Sequence, residues 1–138
     1  MATIIKWQGG MAFEGTTESG HSVLMDAAPE VGGENKGARP MEMVLLGLGG
    51  CTSIDVIMML QKSKQAVEDC QVEISAERSD SIPKVFTKIH VHFKVVGQGL
   101  NPKKVERAVN LSAEKYCSVS KMLEQSVEMS HDFEIIEV

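Results

Sequence analysis

A chain of 138 residues with a formal net charge of −5 excludes several broad classes of protein. The length fits one domain and can bury a core without disulfides or metals. No basic stripe is available to neutralise phosphates, which argues against nucleic-acid binding. The first residues lack a signal-peptide layout, and the three cysteines include no Cys-x-x-Cys spacing. We therefore expect a single cytoplasmic domain over residues 1–138, with neither a disulfide framework nor a paired-cysteine zinc site.

The first third of the chain predicts a β-meander and a loop. Residues 3–8 are β-prone, and Gly9-Gly10 is a signal for a two-residue hairpin turn. Residues 11–14 and 21–26 predict the second and third strands, with turn-forming residues between them. The next dozen or so residues are rich in glycine and have no apolar period. A loop of this length suggests function or disorder.

Residues 39–63 predict a long central helix, around which the rest of the chain is organised. Pro40 suits the first turn of a helix, and Glu42 places negative charge there. Asp55 is the only charged residue in its middle, and apolar side chains occupy every side of the helical wheel. We therefore expect the helix to be buried all round. A membrane span is the weaker alternative, because Asp55 would cost about 2.5–3.5 kcal/mol at the middle of one.

A cluster of glycines precedes a cysteine in this helix. Gly47, Gly49 and Gly50 each cost on the order of 1 kcal/mol against alanine, which predicts close packing or a bend there. One sheet in a monomer of this size cannot cover a helix that is apolar all round. We therefore expect a homodimer in which two such helices cross at the glycines, with methionines at an adaptable interface.

Two alternating runs, residues 70–77 and 85–95, predict a β-hairpin around a turn. His90 and His92 share its polar face. A metal site there lacks an apparent third ligand, so solvated strand residues are the preferred interpretation. Cys70 lies on the apolar face, where an inert thiol is expected.

Two helices and a strand complete the predicted chain. Asn101 is the expected cap of a helix with proline at its first position. Ser120 is the expected cap of a shorter helix, and residues 127–135 alternate as a last strand. The order β-β-β-α-β-β-α-α-β predicts an α+β fold with antiparallel pairing.

Cys51 and Cys117 are the two cysteines for which the sequence allows a chemical role as well as a packing role. Cys51 lies about three turns into the central helix, beyond the reach of its dipole. Glu42 lies roughly opposite on the wheel, so any activating group must come from elsewhere in the fold or from a second subunit. Cys117 lies just before the short helix, whose N-terminus would lower the pKa of a thiol. Packing at a helix junction is an equally good interpretation of Cys117.

Two segments, residues 40–51 (PMEMVLLGLGGC) and 112–119 (SAEKYCSV), resemble the OsmC/Ohr family, and most closely its YhfA-type subgroup. The resemblance covers essentially the whole chain. It implies an intertwined homodimer in which antiparallel sheets wrap long central helices. It also implies a thiol-dependent peroxidase that reduces organic hydroperoxides without a cofactor or metal. By motif, Cys51 matches the cysteine that attacks the peroxide and Cys117 the resolving cysteine, with an external dithiol as the reductant.

The chain departs from the family pattern at the start of the central helix. The peroxidases of the family hold the thiolate with an arginine, which a glutamate directly after the proline orients. Here that position is Met41, and Glu42 follows about 100° further round the helix. Arg39 and Glu42 are therefore the candidate activating residues, and Met41 and Met43 are candidates to line an apolar pocket. The alternative function is a non-catalytic or slow redox-sensing protein that binds an apolar ligand at the dimer interface.

Overall fold

The computed structural model describes residues 2–138 as two compact units. The first unit ends at Leu46, and the second is Gly47–Val138. The boundary falls inside α1 (Pro40–Lys62), which is one uninterrupted helix. The order of strands and long helices agrees with the predicted order, so the α+β fold class is confirmed. The assignment of the whole chain to a single domain stays a prediction.

The first unit carries a three-stranded antiparallel meander. Its strands are β1 (Ile4–Trp7), β2 (Phe13–Thr16) and β3 (Ser22–Met25). The predicted two-residue turn between β1 and β2 is wrong, because Trp7 pairs with Phe13 and the connection is longer. Gly9 and Gly10 still make this turn, with φ values of 92° and 56° that favour glycine.

One buried carboxylate organises the glycine-rich loop that follows β3. Asp26 accepts hydrogen bonds from the backbone N–H groups of Ala27 at 2.8 Å, Glu34 at 3.0 Å and Lys36 at 3.1 Å. These bonds, the Glu34 bond foremost, lower the pKa of Asp26. The loop also contains a short 3-10 turn, Pro29–Val31. It is therefore held by specific contacts, which its sequence did not predict.

The second unit carries a mixed three-stranded sheet. Its strands are β4 (Ala66–Arg78), β5 (Phe86–Gln98) and β6 (Glu128–Glu137), in that order. The β4–β5 hairpin is antiparallel, as predicted. The predicted antiparallel pairing is wrong for β6, which runs parallel to β5 with Phe93 opposite Phe133. Helices separate these two strands, and a helical crossover is the connection that parallel neighbours require.

That crossover consists of three consecutive helical segments. They are α2 (Pro102–Leu111), a π-helical turn (Ser112–Tyr116) and α3 (Ser118–Leu123). Asn101 caps α2 as predicted, because its side chain accepts a hydrogen bond from the Lys103 N–H at 2.9 Å. The predicted cap of α3 is wrong. The cap is Cys117, whose sulfur accepts from the Ser120 N–H at 3.4 Å.

Two sides of α1 differ in burial within the second unit. Thr52, Val56 and Leu60 are buried at four-residue spacing, whereas Ile54 and Met58 are 65% and 44% exposed. Only 22% of the most apolar window of α1 is buried. All-round burial is therefore not reached within a single chain, and its completion by a second chain stays a prediction. Among residues 2–138, α1 is the one helix long and apolar enough to cross a membrane, a trait it shares with core helices of soluble proteins.

The three glycines of α1 also differ in how closely other residues pack against them. A Cβ added at Gly49 would lie 3.2 Å from the Ile74 Cδ1 atom, so close packing is confirmed at this glycine. A Cβ at Gly47 or Gly50 would have nothing within 4 Å. The two latter glycines leave room for another surface to approach the helix backbone.

Candidate active site, a pair of thiols

The structure brings Cys51 and Cys117 together. Cys51 is half-buried in α1, and Cys117 is fully buried where the π-helical turn meets α3. Both are free cysteines, and Cys51 lies near enough to Cys117 to raise the pKa of that thiol. Two neighbouring thiols can form a disulfide by oxidation without long-range movement of the chain.

Burial sets the acidity of Cys117. The pKa of this thiol is raised to about 11, chiefly by burial and to a smaller extent by the neighbouring Cys51. The hydrogen bond from the Ser120 N–H acts in the opposite direction. Cys117 therefore lies directly before a helix, as predicted. The predicted lowering of its pKa is wrong, because desolvation has a larger effect than the helix terminus. Cys117 therefore carries its proton near pH 7.

A buried polar cluster joins α1 to the π-helical turn beside these thiols. The hydroxyls of Thr52 and Ser112 lie 2.7 Å apart, and both residues are almost completely buried. The Ser112 hydroxyl also lies 3.1 Å from the Thr52 carbonyl and 3.0 Å from an Asp55 carboxylate oxygen. Asp55, the lone charge of the helix middle, therefore has a polar partner. Sequence reasoning missed this cluster, although an isolated charge in an apolar helix signals a buried partner.

The four residues predicted at the start of α1 lie in its first turn or just before it. The Glu42 carboxylate accepts a hydrogen bond from the backbone N–H of Arg39 at 2.8 Å. The Arg39 guanidinium donates to the Asn35 side chain at 2.7 Å. Met41 and Met43 are half-buried. Activation by Arg39 and Glu42, and pocket lining by the two methionines, stay predictions.

A groove of about 710 Å³ lies between α1 and α2. Apolar side chains and cations line it together with Tyr116, which directly precedes Cys117; its lining residues are Asp55, Met58, Met59, Lys62, Ser63, Lys104, Arg107, Ala108, Leu111 and Tyr116. Within residues 2–138, no ion pair involves Lys62, Lys104 or Arg107. The groove thus combines an apolar surface with three cations that form no ion pair and with one carboxylate, that of Asp55.

The histidines of β5 join an acidic row on β6. His92 lies 2.6 Å from Asp132 through Nδ1 and 2.9 Å from Glu134 through Nε2, and His90 lies 2.9 Å from Asp132. The Glu134 bond, followed by the Asp132 bond, raises the pKa of His92. The described residues contain no group of three or more His, Cys, Asp or Glu side chains able to hold a metal ion. These histidines therefore connect two strands.

Cys70 lies apart from the two paired thiols, on β4. It is half-buried, and burial, then the charge of Asp69, raises its pKa. A thiol that resists ionisation reacts slowly, which agrees with the inert interpretation.

The fold and the paired-cysteine segments correspond to a known family. Residues 33–132 match the family model described as OsmC-like protein. The chain therefore belongs to the OsmC-like family. It is 46% identical over 136 residues to the protein YhfA of Escherichia coli strain K12, which covers 99% of this chain and 98% of that protein. This likeness puts it in the YhfA-type subgroup.

Solved structures agree with this assignment. A hypothetical protein from Aquifex aeolicus VF5 superposes with a TM-score of 0.87 at 28% identity, over 99% of this chain and 96% of that chain. The organic hydroperoxide resistance protein OhrB of Bacillus subtilis superposes with a TM-score of 0.63 at 19% identity, over 97% and 98% of the two chains. At that level of identity, the likeness to OhrB establishes the fold alone.

Proposed function

We propose that this protein is a thiol-dependent peroxidase that reduces organic hydroperoxides through Cys51 and Cys117. The observation that supports it most strongly is that Cys51 and Cys117 are neighbours, on two segments that the bond between Thr52 and Ser112 joins. Solved proteins of the same fold include organic hydroperoxide resistance proteins, which gives the reaction class as an analogy. The half-buried Cys51 is the one of the pair that a substrate reaches, and the buried Cys117 is the one that resolves.

The proposed cycle has three balanced steps. The Cys51 thiolate attacks the O–O bond of the hydroperoxide, and with one proton it gives Cys51 sulfenic acid and an alcohol. The Cys117 thiol then condenses with the sulfenic acid, which forms the disulfide and releases water. An external dithiol reduces the disulfide and is itself oxidised to a disulfide. The cycle requires a reducing compartment in which such a dithiol is available, and the proposal therefore places the protein in the cytoplasm.

The proposal includes a homodimer. Gly50, Ile54 and Met58 follow one another at four-residue spacing on α1 and are exposed in the single chain. Exposed apolar surface of this kind marks an interaction site in a soluble protein. The open space at Gly47 and Gly50 allows a second helix to approach closely.

Hydroperoxide consumption with a dithiol reductant tests the activity. The wild-type protein is expected to consume an organic hydroperoxide catalytically, and Cys51→Ser is expected to lose that turnover. Cys70→Ser is the matched control and keeps the wild-type rate. Equal rates for wild type and Cys51→Ser would contradict the proposal.

A second candidate function is the binding of an amphipathic ligand, without catalysis or with slow redox sensing. The groove between α1 and α2 favours it, because Met58 and Leu111 offer apolar surface beside the unpaired charges of Lys104 and Arg107. A ligand with an acyl chain and an anionic head suits both features. In the proposed dimer the ligand would lie at the interface, since Met58 belongs to the exposed face as well.

Titration calorimetry with laurate tests this second candidate. Laurate is expected to bind, dodecanol to bind more weakly, and Arg107→Gln to weaken laurate binding. Lys103→Gln, which is outside the groove lining, is the matched control. Equal binding of laurate and dodecanol, or none of either, would contradict a charge-assisted site.

A further inference from the structure

The buried polar cluster is connected to both thiols through short stretches of backbone. Thr52 directly follows Cys51 on α1. Ser112 begins the π-helical turn, and its carbonyl accepts a hydrogen bond from the Cys117 N–H at 2.9 Å. The contact between Thr52 and Ser112 therefore fixes the two backbone segments that carry the sulfur atoms.

Ser120 holds Cys117 from the other side. Its backbone N–H donates to the Cys117 sulfur at 3.4 Å, and its hydroxyl donates to the Ala113 carbonyl at 3.0 Å. The backbone N–H of Cys117 is thus bonded to the π-helical turn and its sulfur to α3, and the Ser120 hydroxyl joins these two segments. The π-helical turn also contacts α1, through the Ser112 hydroxyl.

We propose that Thr52, Asp55 and Ser112 form a hydroxyl clamp whose role is to hold the Cys117 turn in register with Cys51 for disulfide formation. The three are positioning residues for the pair, and this inference rests on the proposed two-cysteine function. Stability alone gives a poor reason for the clamp, because replacing two buried hydrogen-bonding partners by apolar groups of the same shape is often nearly neutral. A polar contact adds a defined direction and distance between the elements that it joins.

The equilibrium between the thiol pair and glutathione measures this positioning without any peroxide. One glutathione disulfide oxidises Cys51 and Cys117 to their disulfide and leaves two glutathione thiols, so the electrons and protons balance. The equilibrium constant reports how well the folded protein holds the two sulfurs together. Every protein carries Cys70→Ser, which removes the third thiol.

Three substitutions separate positioning from stability. Thr52→Val keeps the side-chain shape but removes the hydroxyl, and Thr52→Ser keeps the hydroxyl but removes a methyl group. Val105→Ala, in the buried face of α2, weakens the core away from the clamp. The free energy of unfolding of each reduced protein is measured in parallel.

Thr52→Val is expected to lower the equilibrium constant about three- to tenfold, the range set by one buried hydrogen bond. Thr52→Ser is expected to retain the wild-type constant, and Val105→Ala to lower stability without changing the constant. A wild-type constant in Thr52→Val, or equal losses in Thr52→Val and Val105→Ala, would overturn the clamp while the proposed function stands. A wild-type protein that forms no Cys51–Cys117 disulfide at any glutathione ratio would overturn both.

Discussion

Glu42 bonds to the backbone N–H of Arg39 and not to its guanidinium, which donates to Asn35 instead. This is the reciprocal half of a capping box, in which a glutamate in the first turn satisfies the amide that precedes the helix. The carboxylate therefore has a structural task at the start of α1. Among the described residues, the two side chains predicted to replace the family's arginine–glutamate pair are not paired with each other.

Glu42→Ala is the first variant that this contact makes informative. We expect a loss of about 1 kcal/mol in the free energy of unfolding, because the helix loses a cap. The alkylation rate of Cys51 is expected to stay at the wild-type value. Chemical denaturation and iodoacetamide kinetics check the two expectations. A fall in the alkylation rate would show that Glu42 also activates Cys51, as the sequence predicts.

The row of His92, Asp132 and Glu134 predicts a pH-dependent contribution to stability. The pKa of His92 is raised from 6.5, so its contribution is complete below that value and is lost as pH rises through the raised pKa. The pKa of Asp132 is lowered from 3.8, first by the His92 hydrogen bond, so its contribution is lost as pH falls through the lowered value.

The stability difference between wild type and His92→Gln is therefore expected to be largest near about pH 5 and smaller above about pH 8. Urea unfolding at a series of pH values measures it. A difference that does not change with pH would show that charge on His92 contributes nothing to the pairing of β5 with β6.

The burial of Cys117 predicts a thiol that ionises late. Its pKa of about 11 owes more to burial than to Cys51, so Cys51→Ala is expected to lower the pKa but leave it above the ordinary 9.0. Ultraviolet thiolate absorbance in a Cys70→Ser background follows the titration. Ionisation of Cys117 below 9.0 in the double variant would mean that the helix terminus dominates after all.

The exposed face of α1 predicts that Ile54→Glu separates the proposed dimer. Ile54 is 65% exposed in the single chain, and a charge buried between two helices would raise the dimer dissociation constant about tenfold or more. Ile82→Glu is the matched control, because Ile82 is 90% exposed in the loop between β4 and β5. Sedimentation velocity measures both. A wild-type monomer, or a dimer that Ile54→Glu leaves intact, would contradict the proposed interface.

Most of the helices and strands could be predicted from local patterns. How these elements pair and pack with one another could not. Alternation identified β5 and the strand at residues 127–135, yet an alternating strand has the same pattern in parallel and antiparallel sheets. Helical hydropathy located α1, but it does not distinguish burial within a chain from burial between chains. The parallel pairing of β6 was missed for the first reason, and the second left open which side of α1, that of Ile54, a single chain leaves exposed.

The candidate site shows the same limit. Cys51 and Cys117 were identified as the candidate pair by the resemblance to a family. Their spacing along the chain could not predict that they are neighbours in the fold. They are neighbours because the segment that carries Cys117 packs against α1, where Ser112 bonds to Thr52, and such packing between distant segments is not encoded in local spacing. The pKa of Cys117 was predicted to be lowered by a helix terminus but is raised, because the degree of burial of a side chain cannot be derived from sequence.

The most direct test of the central claim is a non-reducing peptide map after one equivalent of an organic hydroperoxide. The proposed cycle predicts a Cys51–Cys117 disulfide in most molecules and a free Cys70. In Cys117→Ser it predicts Cys51 sulfenic acid, which further peroxide converts to sulfinic acid. Wild-type protein in which Cys51 and Cys117 both remain free thiols while the hydroperoxide persists would contradict the claim.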